Sequence, residues 1–221
     1  MSDDDARAGA TVRPARAEQT ARRTRIQVEN SERILAAALD VFSSEGFSGA
    51  TIDRIAEQAG MSKPNLLYYF PSKEEIYRAL LDRQLESWLQ PLRALDPDGD
   101  PAGEIADYID RKIEMARDFP RESRLFAREI LHGAPVLGDV VAGPLKALVD
   151  AEVAVIRGWI EAGKLAPHDP RHLIFAIWAT TQHYADFDAQ VRAVLGSDDE
   201  DRFAQAAAFL KRLFLEGLRP R

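Results

Sequence analysis

Apolar residues recur along this chain at the spacing of an α-helix almost from end to end, and the alternation that marks a half-buried strand is nearly absent. Ile34, Leu35, Ala38, Leu39 and Phe42 fall on one helical face, which predicts a helix from about residue 31 that Gly46 ends. Thr51 then stands before "IDRIAEQA", where its hydroxyl can cap the free N–H groups of a first turn. Ile52, Ile55, Ala56 and Ala59 turn inward there, and Gly60 closes the helix. Ser62 is a candidate N-cap for a third short helix, with Pro64 tolerated in its first turn and Pro71 stopping it. The run "SKEE" from Ser72 to Glu75 has the capping-box spacing, so a long fourth helix is expected to start there and reach about Pro91.

Turn-forming clusters divide the remainder into longer helical segments. They fall at Asp96 to Gly103, at Phe119 and Pro120, and at Leu131 to Asp139, and they leave helices over about 142 to 163, 170 to 186 and 199 to 217. No repeat and no low-complexity stretch interrupts this order. The pattern predicts an all-α protein with an N-terminal three-helix helix-turn-helix head at 31–73 and a larger helical body at 74–221.

Composition narrows the chemistry. With 221 residues, 46% of them hydrophobic, the chain can bury a sizeable core. It has no cysteine, which removes thiol nucleophiles, disulfides and thiolate metal sites. The N-terminus carries acidic residues where a signal peptide needs a basic and then an apolar segment, so a cytoplasmic location is expected. His168 and His172 have a spacing that a metal can use. Asp169 and Pro170 between them read as a helix start, however, and no third ligand follows at suitable spacing, so no metal or other cofactor is expected. No nucleophile motif or glycine-rich phosphate loop is present, which leaves an enzyme reading without a mechanism.

The formal net charge of −7 taken as a sum disfavours nucleic acid, but its distribution reverses that. Residues 1 to 73 hold ten Arg or Lys against ten Asp or Glu, so the whole acidic excess lies beyond Lys73. Within 1–30, Arg7, Arg13, Arg16, Arg22, Arg23 and Arg25 form a basic arm, expected to be disordered and solvated. Two short helices joined through "AGMS", the second opening with polar and aromatic residues, have the form of a helix-turn-helix. Lys63 and Asn65 can meet base edges. Tyr68 and Tyr69 can reach phosphate oxygens, and Lys73 with the start of the fourth helix offers a further phosphate site.

The stretch "TIDRIAEQAGMSKPNLLYYFPSKEEIY" resembles the DNA-binding signature of the TetR family of bacterial regulators, over about residues 31 to 77. The resemblance implies that Thr51, Lys63, Pro64, Asn65, Tyr68, Tyr69 and Lys73 lie at the DNA. It also implies a palindromic double-stranded operator, a homodimer and a body that binds a small effector. Leu67 departs from the pattern, which usually has tyrosine there. With this resemblance the arginine arm becomes an extension that touches phosphate or minor groove.

In the body, "SRLF", "GKLAPHDPRHLIFAIWATTQHYADF" and "EGLRPR" are similar to members of that family that govern pyrimidine utilisation, which implies uracil or a related pyrimidine as effector. Trp88, Trp178 and Gln182 are the residues this resemblance assigns to the ligand. The chemistry agrees, because Trp178 and Gln182 share a helical face, an amide complements the N–H/C=O edge of a pyrimidinedione and a tryptophan covers a flat ring. From the residues alone, tryptophans at helical spacing fill a core as readily. A regulator sensing a different small molecule, or a helical enzyme or scaffold, also fits the same pattern.

Overall fold

The computed structural model describes residues 13–196 and 201–220, with side chains from Arg25 onward. Every regular element among the described residues is helical. The chain forms two compact units, Met1–Tyr77 and Arg78–Arg221.

The first unit is built on α1 (Arg13–Gly49), α2 (Ile52–Gln58) and α3 (Lys63–Tyr69). The helix starts far earlier than the apolar face suggested. Residues 13–30, expected to belong to a disordered arm, lie in α1, whereas residues 1–12 are outside the described residues. This segment holds many good helix formers, its proline stands in the first turn, and Arg25 pairs with Glu29 one turn on at 2.7 Å. Ile34, Leu35, Ala38, Leu39 and Phe42 are buried as the spacing implied. At Gly46 the backbone leaves the helix, with φ 71° and ψ 171°, a conformation that L side chains adopt at a cost.

The boundary between the units falls after Tyr77 rather than after Lys73 because the start of α4 (Lys73–Arg93) completes the head core. Ile76 is fully buried, and the Tyr77 ring packs edge-on against Phe42 at 5.0 Å and tilted against Phe47 at 4.8 Å between centroids. Ser72 accepts from the Glu75 N–H at 3.2 Å, the N-terminal half of the expected capping box. The helix continues past Pro91 to Arg93, since a proline in a last turn removes a single bond.

In the second unit α5 (Pro101–Asp118) and α6 (Pro120–Leu131) lead to a one-turn α7 (Gly138–Val140) and a π-helical turn at Val141–Leu145. Then follow α8 (Lys146–Glu161), α9 (Pro170–Asp186), α10 (Asp188–Leu195) and α11 (Arg202–Gly217). Pro144 withholds an N–H inside the π turn, so the expected helix from 142 becomes regular only at Lys146. The core is shared by α5, α8, α9 and α11, with Ile109, Ile156, Ile174, Ile177 and Leu210 at its centre. The short α10 was not evident from the sequence. Phe187, with φ −113° and ψ 28°, interrupts the helical path, and a new helix starts at Asp188.

Candidate DNA-reading helix and effector site

In the head, Thr51 caps α2 by accepting from the Arg54 N–H at 3.2 Å. Ser62 precedes α3 in extended conformation without a side-chain cap bond. Gly60, at φ 64°, makes the turn between the two helices. A Cβ there would stand 3.4 Å from the Arg33 guanidinium, which donates to the Ala59 carbonyl at 2.7 Å. The turn is thus closed from the α1 side.

The α3 helix rests on Leu66, which is fully buried, while Lys63, Pro64, Asn65 and Tyr68 are exposed. The Lys63 ammonium pairs with Asp53 at 2.9 Å; both side chains are solvated, so the pair yields readily to another anion. The Tyr69 hydroxyl accepts from the Asn30 amide at 2.8 Å and keeps its own proton to donate. Tyr68 stands edge-on to Tyr69 at 5.2 Å.

Lys73 has partners within the head. Its ammonium donates to the carbonyls of Phe47 at 2.7 Å and Ala50 at 3.0 Å and lies 4.4 Å from the centroid of the Phe47 ring. These carbonyls lie just beyond the break at Gly46, where regular helical bonding ends. In the free protein Lys73 therefore fastens the end of α1 to the start of α4.

In the body, the residues assigned to the ligand fall into two groups. Trp88 is buried, with the Phe126 ring of α6 at 5.5 Å and the Lys112 ammonium of α5 at 4.8 Å from its ring. Trp178 is half-buried beside Phe175, and its indole N–H donates to the Tyr108 hydroxyl at 2.6 Å. Tyr108 and Lys112 are one turn apart, so one face of α5 serves both tryptophans.

Gln182 is half-buried and one turn beyond Trp178. One turn further, Asp186 accepts from the Ser123 hydroxyl of α6 and attracts the Lys112 charge. Burial raises the Asp186 carboxyl from its ordinary value. The stripe Trp178, Gln182, Asp186 on α9 therefore faces the stripe Tyr108, Lys112 on α5, with a hydrogen bond at one end and charge attraction at the other.

Four polar residues here were not singled out from the sequence. Gln84 is buried one turn before Trp88, with both amide heteroatoms lacking a hydrogen-bond partner among the described residues. Lys112 is buried without a carboxylate at ion-pairing distance among the described residues, and burial pushes its ammonium down to about 8. Tyr108 is buried and raised above its ordinary range, first by desolvation. Ser123 is buried on α6. A signal existed: Gln84 and Lys112 occupy inward positions of otherwise apolar helical stripes, Leu81–Leu85–Trp88 and Ile105–Ile109–Ile113–Ala116.

Family models locate both halves of this architecture in one class of regulator. Residues 34–80 match the bacterial regulatory proteins of the tetR family, and residues 81–221 match the C-terminal region of YcdC-like proteins. The chain belongs to the TetR family of DNA-binding transcriptional regulators, whose members act on operator DNA as dimers and answer to small-molecule ligands.

Among its relatives, the HTH-type transcriptional regulator RutR of Escherichia coli (strain K12) is 52% identical over 204 residues, covering 91% of this chain and 96% of RutR. The HTH-type transcriptional repressor NicS of Pseudomonas putida is 30% identical over 210 residues, covering 90% of this chain and 98% of NicS. Of solved structures, a tetR-family regulatory protein from Rhodococcus RHA1 superposes with a TM-score of 0.70 at 22% identity, covering 87% of this chain and 98% of that one. AibR in complex with isovaleryl coenzyme A and operator DNA superposes with a TM-score of 0.66 at 17% identity, covering 83% and 97%. These two likenesses bear on the fold.

Proposed function

We propose that the protein is a cytoplasmic homodimeric repressor of pyrimidine utilisation, released from its operator by uracil or a related pyrimidinedione. The observation that carries the effector reading is the polar stripe of α5 and α9, with Gln182 between Trp178 and Asp186 and with Tyr108 and Lys112 opposite. A flat ring with donor and acceptor edges needs aromatic faces and polar side chains together in an otherwise apolar surrounding. Gln182 offers the imide edge a carbonyl acceptor beside an N–H donor. Similarity to RutR over nearly the whole chain supports the same reading.

Lys63, Asn65 and Tyr68 form the DNA-facing side of α3 in this account, with Asn65 read against a base and Tyr68 against phosphate. Pairing through α9 and α11 is supported by Phe175, Phe209 and Leu213, large apolar side chains left exposed on those helices. Two heads then meet successive major grooves about 34–36 Å apart, or a multiple of that. Release requires that the ligand favour a body shape whose heads are wrongly spaced, and a preference of about 1–3 kcal/mol per site changes binding several-fold to a hundred-fold.

Calorimetry with uracil on the wild type and Gln182→Leu, with operator binding measured alongside, tests the effector. Uracil affinity should fall about tenfold or more in the variant, the cost of an unpaired polar edge being about 1–3 kcal/mol. Undiminished affinity in the variant, or no uracil binding by the wild type at millimolar concentration, rejects it.

A further inference from the structure

We propose that Lys112 and Gln84 are effector ligands, and that the donor-only ammonium of Lys112 selects rings presenting a carbonyl oxygen to it over rings with an amino group at that position. The proposal rests on the pyrimidine reading and adds the residues that discriminate within it.

Lys112 is 4% exposed. Among the described residues its ammonium makes no hydrogen bond and no ion pair, and it stands 4.8 Å from the centroid of the Trp88 ring. Asp186 is the anion whose charge reaches it, but that carboxylate is already bonded to Ser123. A buried ammonium without an acceptor is unfavourable, and a cation over an aromatic face offsets only part of the loss. The arrangement stores a donor for an oxygen that is not part of the chain.

Gln84 presents a second unmet demand. It is 6% exposed, and both its amide oxygen and its amide nitrogen are buried without a partner among the described residues. Buried side-chain amides are bonded in the large majority of cases, so one with neither end satisfied calls for an explanation. Gln84 and Trp88 share a face of α4, and the Lys112 ammonium lies over the Trp88 ring from α5, so both unmet groups belong to the same side of α4. A flat ring held along Trp88 gives the amide a donor–acceptor edge and gives the ammonium a carbonyl.

Uracil has two carbonyls and two N–H groups, and therefore a donor–acceptor edge for each of Gln182 and Gln84 with an oxygen available to Lys112. Cytosine replaces one carbonyl by an amine, and isocytosine replaces the other. Whichever oxygen Lys112 takes, one of the two aminopyrimidines sets N–H donors against a donor and leaves the lysine unpaired. Sites that lose a required hydrogen-bond partner reject the wrong ligand far more strongly than sites that lose a methyl group.

The experiment measures binding of uracil, cytosine and isocytosine by calorimetry to wild type, Lys112→Met, Lys112→Gln and Gln84→Leu, with thermal unfolding of each variant as a control for folding. The wild type should reject at least one aminopyrimidine by more than tenfold relative to uracil. Lys112→Met should lose tenfold or more for uracil, and its preference over the rejected analogue should fall toward unity. Lys112→Gln, which can accept as well as donate, should recover affinity for that analogue. Gln84→Leu should weaken all three ligands. Equal uracil affinity in wild type and Lys112→Met overturns the proposal and leaves the pyrimidine reading intact. Equal loss for all three ligands in Lys112→Met makes the lysine a packing residue and overturns its selecting role. No binding of uracil by the wild type removes the pyrimidine reading, and this proposal with it.

Discussion

The Trp178 indole N–H donates to the Tyr108 hydroxyl across 2.6 Å, joining α9 to α5. This bond fixes the plane of a half-buried tryptophan, and it leaves the hydroxyl proton of Tyr108 free for a further acceptor. Tyr108→Phe should cost about 1–3 kcal/mol in urea unfolding, because the indole donor loses its partner. Effector affinity should fall as well, since Trp178 is then free to turn. Unchanged unfolding and binding together would remove the positioning role of Tyr108.

Lys73→Met separates a fastening role from a phosphate contact. The bonds to Phe47 and Ala50 have a charged donor, so losing both should destabilise the head by about 2–3 kcal/mol. Operator affinity should decline with that destabilisation, while the slope of log affinity against log salt stays unchanged. A phosphate contact would instead lower the slope by about one.

The cations of the described head are largely engaged: Lys63 with Asp53, Arg54 with Glu57, Arg25 with Glu29, and Lys73 and Arg33 with backbone carbonyls. We therefore expect removal of residues 1–24, which carries away Arg7, Arg13, Arg16, Arg22 and Arg23, to lower the salt slope by about 0.9 for each arginine that meets phosphate. Fluorescence anisotropy on an operator duplex at several salt concentrations measures it. An unaltered slope would show that the arm does not touch the backbone.

Stability should depend on pH through Lys112, whose ordinary value of 10.5 is pushed down to about 8 by burial. Between those values the unfolded chain holds a proton that the folded chain has released, so stability rises with pH. Between pH 8 and 10 the gain should be on the order of 2 kcal/mol. Above the ordinary tyrosine value of 10 the raised Tyr108 acts in the opposite direction, since the folded state then holds the extra proton. Denaturant unfolding across this range, compared with Lys112→Met, checks it: the difference between the two proteins should shrink as pH rises.

The helical period carried most of the fold, because amphipathic stripes such as Ile34–Ala38–Phe42 record burial directly in the sequence. Thr51 and Ser72 were legible as caps for a similar reason: capping bonds are local, between residues three apart. What could not be read depends on contacts distant in sequence. Lys73 binds carbonyls more than twenty residues away, and Trp178 meets a tyrosine 70 residues earlier. The early start of α1 went unread because its first turns lack an apolar face, so only propensity marks them. Gln84 and Lys112 were visible as polar interruptions of apolar stripes, but the stripe does not say whether such a residue finds a partner.

The α3 helix has one fully buried side chain, Leu66, whereas Lys63, Pro64, Asn65 and Tyr68 all face outward. In the proposed reading, recognition and folding fall to different positions of the same seven residues. Exchanges at the outward positions touch little that the core depends on, and surface substitutions of that kind usually change stability by about 0.5 kcal/mol or less. A duplicated copy of such a gene can drift toward a new operator while its product still folds, and a laboratory library at those four positions can retarget the protein without first being rescued for stability. Leu66 lacks that freedom: altering it would silence the regulator everywhere at once, whatever sequence its neighbours were tuned to read.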